Sequence, residues 1–360
     1  MRRPVIHQVL LGAAEGDAIT QMALALRSEL QKFANSEIYA LWQHGDLMKM
    51  STKSIADIPP SEEVDILLYH SSIGWQDMTD FLLTRSEKMA ISYHNITPSH
   101  FYEKFQPDFA KDLRLGRTEL EMIRHKIVLA VADSTYNSND LQQHGYTGVQ
   151  VVPAGFSPKR LCNEIYDVQL LDEMGYQFPN GYVIAVGQVL PHKRIEEVLE
   201  TMHIMNSTFW GNIGLVICGV ARQVHYSEAI FRFQKRCAMV NVRFTGAVSD
   251  RQLASYLRGS RVYLGMSDHE GLCIPPVEAM SLGVPVVIKG AGAVPETMGD
   301  GALVLPGQAG PVLASEAINA VLTDDFLRWR LINAGYQRAE ELDHGRSSSQ
   351  LTELLLGVLA

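Results

Sequence analysis

An α/β fold built twice over, each half an open and largely parallel sheet with helices on both faces, follows from three observations. Short apolar runs recur along the whole chain, each long enough for one buried strand. Most are followed by a loop carrying Gly or Pro and then by helical periodicity, the order that parallel sheets require. Periodicity fades once, between Pro153 and Gly181, where Pro153, Gly155, Pro158, Pro179, Asn180 and Gly181 gather. A length of 360 residues suits two domains of ordinary size. The expected boundaries are 1–155 for a first domain, 156–180 for a linker, 181–345 for a second domain and 346–360 for a final helix.

In the first half, Ile6 to Leu11 leads through Gly12-Ala-Ala-Glu-Gly16-Asp17 into a helical pattern from Ala18 to about Phe33. Strand, glycine loop and helix in that order put Gly16 and Asp17 at a helix N-terminus, a seat for phosphate or sugar. The loop lacks the Gly-x-Gly-x-x-Gly spacing of dinucleotide binders, which counts against an NAD enzyme. Further strands are expected at Ile38–Leu41, Ile66–Tyr69, Met89–Tyr93, Ile127–Val131 and Val149–Val152. His94-Asn-Ile-Thr-Pro98 follows one of them, and ligands in open α/β sheets sit beyond the carboxyl ends of strands, which singles out His94 among 12 histidines. From Phe101 to Lys126 aromatic residues mix with Lys104, Lys111, Arg114, Arg117, Arg124 and Lys126, nearly balanced by Glu103, Asp108, Asp112, Glu119 and Glu121. That composition fits a solvated helix pair, or an interfacial helix docked on anionic lipid as a peripheral membrane contact.

The second half restarts at Tyr182–Val186, followed by Gly187-Gln188-Val-Leu-Pro191-His192-Lys193-Arg194 and a helical stretch from Ile195 to His203. A cation at a helix start opposes the helix dipole, so Lys193 there calls for an anion beside it. Ile213–Cys218 and Val242–Thr245 are two more strand-turn units, the second running into Gly246-Ala247-Val248. Ser249 and Gln252 then form a capping box that opens a helix. Between the strands at Val262–Leu264 and Val284–Ile288 lies Ser267 to Pro285, the centre of the argument. Gly271 allows close backbone approach, Pro275 and Pro276 suit a first helical turn, and Glu270 and Glu278 set carboxylates on either side of a row of amides. Amides suit phosphate and carboxylates suit sugar hydroxyls. The glutamate pair alone is weak evidence, because chance sets two glutamates at this spacing about once in a chain of this composition. The residues around the pair give it weight. Gly290 to Pro295 with Glu296 fits either a surface turn or a loop of the same site, and the tail from Ser315 onward is helical.

The composition, 46% hydrophobic and 20% charged, is that of a globular protein. A net charge of −9 argues against nucleic acid as a partner. Cys162, Cys218, Cys237 and Cys273 are widely spaced with no Cys-x-x-Cys pair, which fits a reducing, cytoplasmic setting without disulfides or zinc. There is no room for a signal peptide before the first strand and no bilayer-spanning run.

The Glu270-to-Glu278 stretch, with Gly directly after the first Glu and Gly283-Val-Pro-Val beyond the second, resembles the Glu-x7-Glu signature of glycosyltransferase family 4, retaining enzymes of the GT-B fold. The resemblance is specific across the second half and looser in the first, chiefly at Gly12 to Thr20 and His94 to Pro98. It implies two Rossmann-like domains facing across a cleft, a last helix packed back on the first domain, and transfer of a hexose from a nucleotide diphosphate sugar. The acceptor it implies is a glycan or lipid-linked saccharide, as in surface polysaccharide or lipopolysaccharide O-antigen synthesis at the inner face of a membrane, and a mannose-type donor linked to GDP is favoured. Catalytic roles fall on His94, Lys193 and Glu270. Donor contacts fall on Gly16, Asp17, Gln188, Lys193, Arg194, Val248, Gly271, Leu272, Cys273 and Glu278. The family pattern Gly-Arg-x-x-x-x-Lys carries over at Lys193, but Gln188 stands where the Arg belongs, so Arg194 or Arg222 would have to supply the missing charge. No Asp-x-Asp occurs, so no cofactor is expected and the reaction should be metal-independent. Two alternatives remain at this stage: a sugar-nucleotide-binding protein without catalysis, and a nucleotide-sugar epimerase of the same fold.

Overall fold

The computed structural model describes residues 2–153, 157, 159–222, 224–342 and 344–359. Gly155 and Pro158, two breakers of the expected linker, lie outside them. The chain forms two compact units, Met1–Phe156 with Leu342–Ala360, and Ser157–Glu341.

Unit 1 runs β1 (Ile6–Ala14), α1 (Ala18–Leu30), β2 (Ile38–His44), α2 (Asp46–Ser51), β3 (Lys53–Ser54), β4 (Ile66–Ser71), α3 (Gln76–Thr84), β5 (Lys88–Tyr93), α4 (Pro107–Ile123), β6 (Ile127–Ala132), α5 (Thr135–Gln143) and β7 (Gln150–Val151). The strands are parallel throughout, in the order β3-β2-β1-β4-β5-β6-β7. Central β4 is buried along its whole length, whereas the edge strands β3 and β7 have only two residues each, too short to leave an apolar pattern in sequence. Asp17 caps α1 by accepting from the Thr20 amide at 2.8 Å, which fixes where the helix starts. The apolar face of α4, with Ala110, Leu113, Leu120 and Ile123, is buried, and its basic side chains meet acids: Lys111 with Asp108 at 2.9 Å, Arg114 with Glu103 at 3.4 Å, Arg117 with Asp140 at 3.0 Å. Gly74 and Gly116 let α4 approach closely, since a Cβ on Gly74 would stand 2.1 Å from the Gly116 nitrogen. Among the described residues no helix is long and apolar enough to cross a membrane.

Unit 2 runs α6 (Lys159–Cys162), α7 (Val168–Gln177), β8 (Tyr182–Val186), α8 (Ile195–Met205), β9 (Gly214–Cys218), α9 (Val224–Arg236), β10 (Val242–Gly246), α10 (Asp250–Gly259), β11 (Val262–Gly265), α11 (Ile274–Ser281), β12 (Val286–Lys289), α12 (Val294–Met298), β13 (Leu303–Leu305), α13 (Pro311–Thr323) and α14 (Asp325–Glu341). Its sheet is parallel as well, ordered β10-β9-β8-β11-β12-β13. The stretch read from sequence as a linker is structured at its far end: Asp167 caps α7, and Leu170 and Met174 are buried. The last helix, α15 (His344–Gly357), belongs to unit 1. Leu351 and Leu355 enter the core of Ile6, Leu26, Leu30, Ile66 and Leu68, each burial contributing about 2 kcal/mol.

Candidate active site

Parallel sheets leave a crevice at the carboxyl ends of their strands where the strand order reverses, and in unit 2 that place lies between β8 and β11. A pocket of roughly 430 Å³ opens there, lined by Gly187, Gln188, Lys193, Ser267, Glu270 and Cys273 among others. A Cβ on Gly219 would fall 1.9 Å from the Gly187 carbonyl oxygen, so only glycine lets the ends of β8 and β9 meet this closely.

Pro191–Lys193 forms a single 3-10 turn, and Arg194, at φ 52°, redirects the chain into α8. The turn brings Lys193 Nζ within 2.6 Å of Glu270 Oε1, with the two side chains 20% and 9% exposed. Burial alone would lower the Lys193 pKa, but Glu270 outweighs it and holds the ammonium above its ordinary value. Burial likewise pushes Glu270 up, and Lys193 with His192 more than reverses this, leaving the carboxyl below its usual range. His192 is driven down to about 3, first by burial and then by Lys193, so it stays neutral near pH 7. The anion that a cation at a helix start requires is thus the protein's own Glu270.

The backbone of Glu270 is braced from below. Ala293 N–H donates to its carbonyl at 2.9 Å, and Gly292, at φ 59°, lies so close that a Cβ would stand 2.2 Å from the same oxygen. The Gly290–Pro295 loop therefore supports the site rather than forming a free surface turn. Cys273 precedes α11 at φ 75°, a left-handed conformation costing about 1–2 kcal/mol for a residue with a side chain. Because Pro275 and Pro276 both lie in the first turn of α11, the amides there reduce to Ile274 and Val277. Gly271 and Leu272 are half-buried in the loop before Cys273, and Val248 is half-buried just ahead of the Ser249 cap of α10.

Glu278 lies one turn into α11, outside the wall of this pocket, where Arg160 Nη2 donates to its Oε1 at 2.5 Å. Arg194 is committed elsewhere. Its guanidinium contacts Glu197 at 2.6 Å, Glu196 at 3.1 Å and Asp268 at 3.3 Å, and Lys289 shares Asp268 at 2.5 Å. The charge missing at Gln188 is therefore not supplied by Arg194 in this arrangement.

Residues 179–338 match the family model described as glycosyl transferases group 1. That match takes in most of the second unit, and the chain is a glycosyltransferase. Among curated proteins, this glycosyltransferase is 23% identical over 277 residues to O-antigen chain mannosyltransferase B of Escherichia coli, covering 75% of the chain and 70% of that protein. It is 28% identical over 116 residues to the GDP-mannose-dependent alpha-mannosyltransferase of Mycobacterium tuberculosis, covering 32% of the chain and 27% of that protein. Among solved structures it is similar to HepE from Anabaena in complex with UDP and glucose, with a TM-score of 0.76 at 16% identity over 97% of the chain and 98% of that one. The fold is that of the GT-B glycosyltransferases.

In unit 1 of the glycosyltransferase, His94 follows β5 and is buried in a line of hydrogen bonds that the sequence reading missed. Gln8 Nε2 donates to the Ala23 carbonyl at 3.1 Å, which fixes its amide and turns Oε1 to His70 Nε2 at 2.9 Å. His70 therefore donates from Nε2. Burial and the neighbouring His94 hold its pKa well below the ordinary value, so it is neutral and its Nδ1 accepts. The donor to that Nδ1 is His94 Nε2, at 2.9 Å, while His94 Nδ1 lies 2.7 Å from Asp133 Oδ2. His94 thus bridges the two, with Nε2 on His70 and Nδ1 on Asp133. The two imidazole planes are 5° apart. A second pocket of roughly 430 Å³ reaches these side chains between α1 and α15, lined by Met22, Leu26, His70, His94, Asp133 and Leu351 among others. Gly16, at φ 72°, has open space around it, and the Asp17 carboxylate is spent on capping α1 through Thr20.

Asp133 and His70 lie at the carboxyl ends of β6 and β4, so the rule that singled out His94 also reaches them.

Proposed function

We propose that this glycosyltransferase moves a mannosyl residue from GDP-mannose to a glycan or lipid-linked saccharide of a surface polysaccharide, with retention at the anomeric carbon and without a metal ion. The observation that carries the reading is the Lys193–Glu270 pair in the pocket between β8 and β11. As the sugar–phosphate bond breaks, negative charge grows on the departing diphosphate, and an ammonium fixed beside it lowers the barrier. Glu270, released from Lys193, accepts from sugar hydroxyls and holds the anomeric carbon in place. Glu278 accepts from the ribose hydroxyls, and the amides from Gly271 to Ile274 complete the phosphate seat. With an ammonium in this role and no Asp-x-Asp in the chain, the reading needs no metal. The mannosyl and GDP assignments draw on the two relatives, which bear those words in their names. His94 touches the donor sugar only if its bond to His70 or to Asp133 is exchanged, and that exchange is part of the proposal.

A thermal-shift panel of GDP, UDP, GDP-mannose and UDP-glucose, with and without magnesium, tests the donor. Stabilisation by the GDP compounds, equal with and without the metal, is the expected result. A response confined to the uridine compounds would overturn the GDP assignment, and a strict magnesium requirement the metal-free mechanism. Transfer of labelled mannose that depends on an added acceptor separates this reading from epimerisation and from binding alone.

A further inference from the structure

We propose that Arg160 is a positioning residue for the donor, orienting the Glu278 carboxylate and keeping it available as an acceptor for the ribose hydroxyls of a nucleoside diphosphate. The inference rests on the donor-site reading of Glu278 given above. Glu278 is 7% exposed, and a carboxylate taken out of water without a cation tends to bind a proton. Arg160 comes from α6 and forks between two helices: Nη2 donates to Glu278 Oε1 on α11 at 2.5 Å, and Nη1 pairs with Asp250 in the first turn of α10. That planar fork, matched to two oxygens at once, is a property of arginine and not of lysine. It occupies Oε1 and leaves Oε2 with no hydrogen bond from the described residues, free for a ligand hydroxyl.

The charged and titratable groups facing Glu278 are Arg160 from α6, Asp250 from α10 and Tyr263 from β11. Burial pushes Glu278 up, Arg160 draws it back and Asp250 raises it again, leaving it above its ordinary value. Without Arg160 both remaining influences act upward. Glu278 then takes up a proton at a higher pH than in wild type, and donor affinity falls on the acid side.

The test is calorimetric titration of the full chain with GDP, and separately with UDP, from pH 6 to 8. Wild type sets the reference profile, which includes protonation of the terminal phosphate near pH 6. Relative to it, Arg160→Gln should bind progressively more weakly as pH falls, by up to about tenfold per pH unit, whereas Arg160→Lys, which retains the charge, should parallel wild type. Glu278→Gln should be weak throughout. A Gln variant whose profile parallels wild type, beside a weak Glu278→Gln, overturns the role of Arg160 and leaves the donor site standing. Wild-type affinity in Glu278→Gln, or no binding of either nucleotide to wild type, overturns the donor-site reading and this inference with it. Should Arg160→Gln fail to fold, Asp250→Asn carries the test. With the competing carboxylate gone, affinity at pH 6 should match or exceed wild type, and a loss there would overturn the inference.

Discussion

Replacing Lys193 by Met removes the cation from a pair 2.6 Å apart whose carboxylate is 9% exposed. The surviving Glu270 is then a buried charge without its partner, and breaking such pairs costs about 3–5 kcal/mol. Lys193 keeps some solvent contact, at 20% exposure, which places the expected loss near the lower end, roughly 3 kcal/mol. For a unit of this size that is a fall in Tm of roughly 6–12 °C. Adding Glu270→Leu removes the stranded charge, so the double variant should recover to within about 1 kcal/mol of wild type. The coupling between the two positions should then exceed about 2 kcal/mol. Urea unfolding of the four proteins near pH 7 measures it. At that pH Glu270 is ionised, since its contribution is present above the ordinary carboxyl value of 4.5 and lost as pH falls through its lowered pKa. Lys193 is charged, since its contribution is present below 10.5 and lost as pH rises through its raised pKa. Additive losses in the double variant, or a Lys193→Met protein as stable as wild type, would refute the pairing. The double variant should remain folded and inactive, because neither replacement can hold phosphate or sugar.

Two further outcomes are expected. Glu119 is fully buried and its carboxyl is pushed up to about 7 by burial, despite hydrogen bonds donated by Thr79 and Tyr69. Between pH 4.5 and 7 the folded form holds a proton that the unfolded form releases, so stability should fall by on the order of 2–3 kcal/mol as pH rises across that window. Glu119→Gln should remove that slope in denaturation at pH 5 and pH 8, and an unchanged slope would show that Glu119 titrates normally. Gly74→Ala sets a methyl 2.1 Å from backbone and should destabilise by about 1–3 kcal/mol. Gly175→Ala, in α7 with nothing within 4 Å, should stabilise by about 0.5–1 kcal/mol, and equal Tm values for the two variants would contradict the packing argument.

What was legible in the sequence was local. The strand-loop-helix order marks β8 and β11, and the residues at their carboxyl ends, Gln188, Lys193 and Glu270, line one pocket because parallel topology brings such ends together. What was not legible depends on partners far apart along the chain. Arg160 and Glu278 are separated by 118 positions and His94 and Asp133 by 39, and nothing in either local pattern names the other. Residues 156–180 read as a linker because Pro and Gly frame them, yet the Asp167 cap and the Leu170–Met174 spacing were there to mark α7. The basic residues from Lys104 to Lys126 fitted a solvated helix pair or a lipid-facing helix, and Asp140, which holds Arg117, comes from the following helix. Neutralising Arg117 in a vesicle-binding experiment would therefore disturb unit 1 as well as any surface charge.

The contribution of α15 to the core around Ile6 has a consequence for the order of synthesis. Unit 2 is inserted within unit 1, so a ribosome delivers every strand of the second sheet before it delivers Leu351 and Leu355. Until then Ile6, Leu26, Leu30 and Ile66 lack part of their apolar cover. The half of the molecule that begins first is the half that finishes last, and loss of α15 would leave an apolar opening on the first unit while sparing every residue of the Lys193–Glu270 pocket.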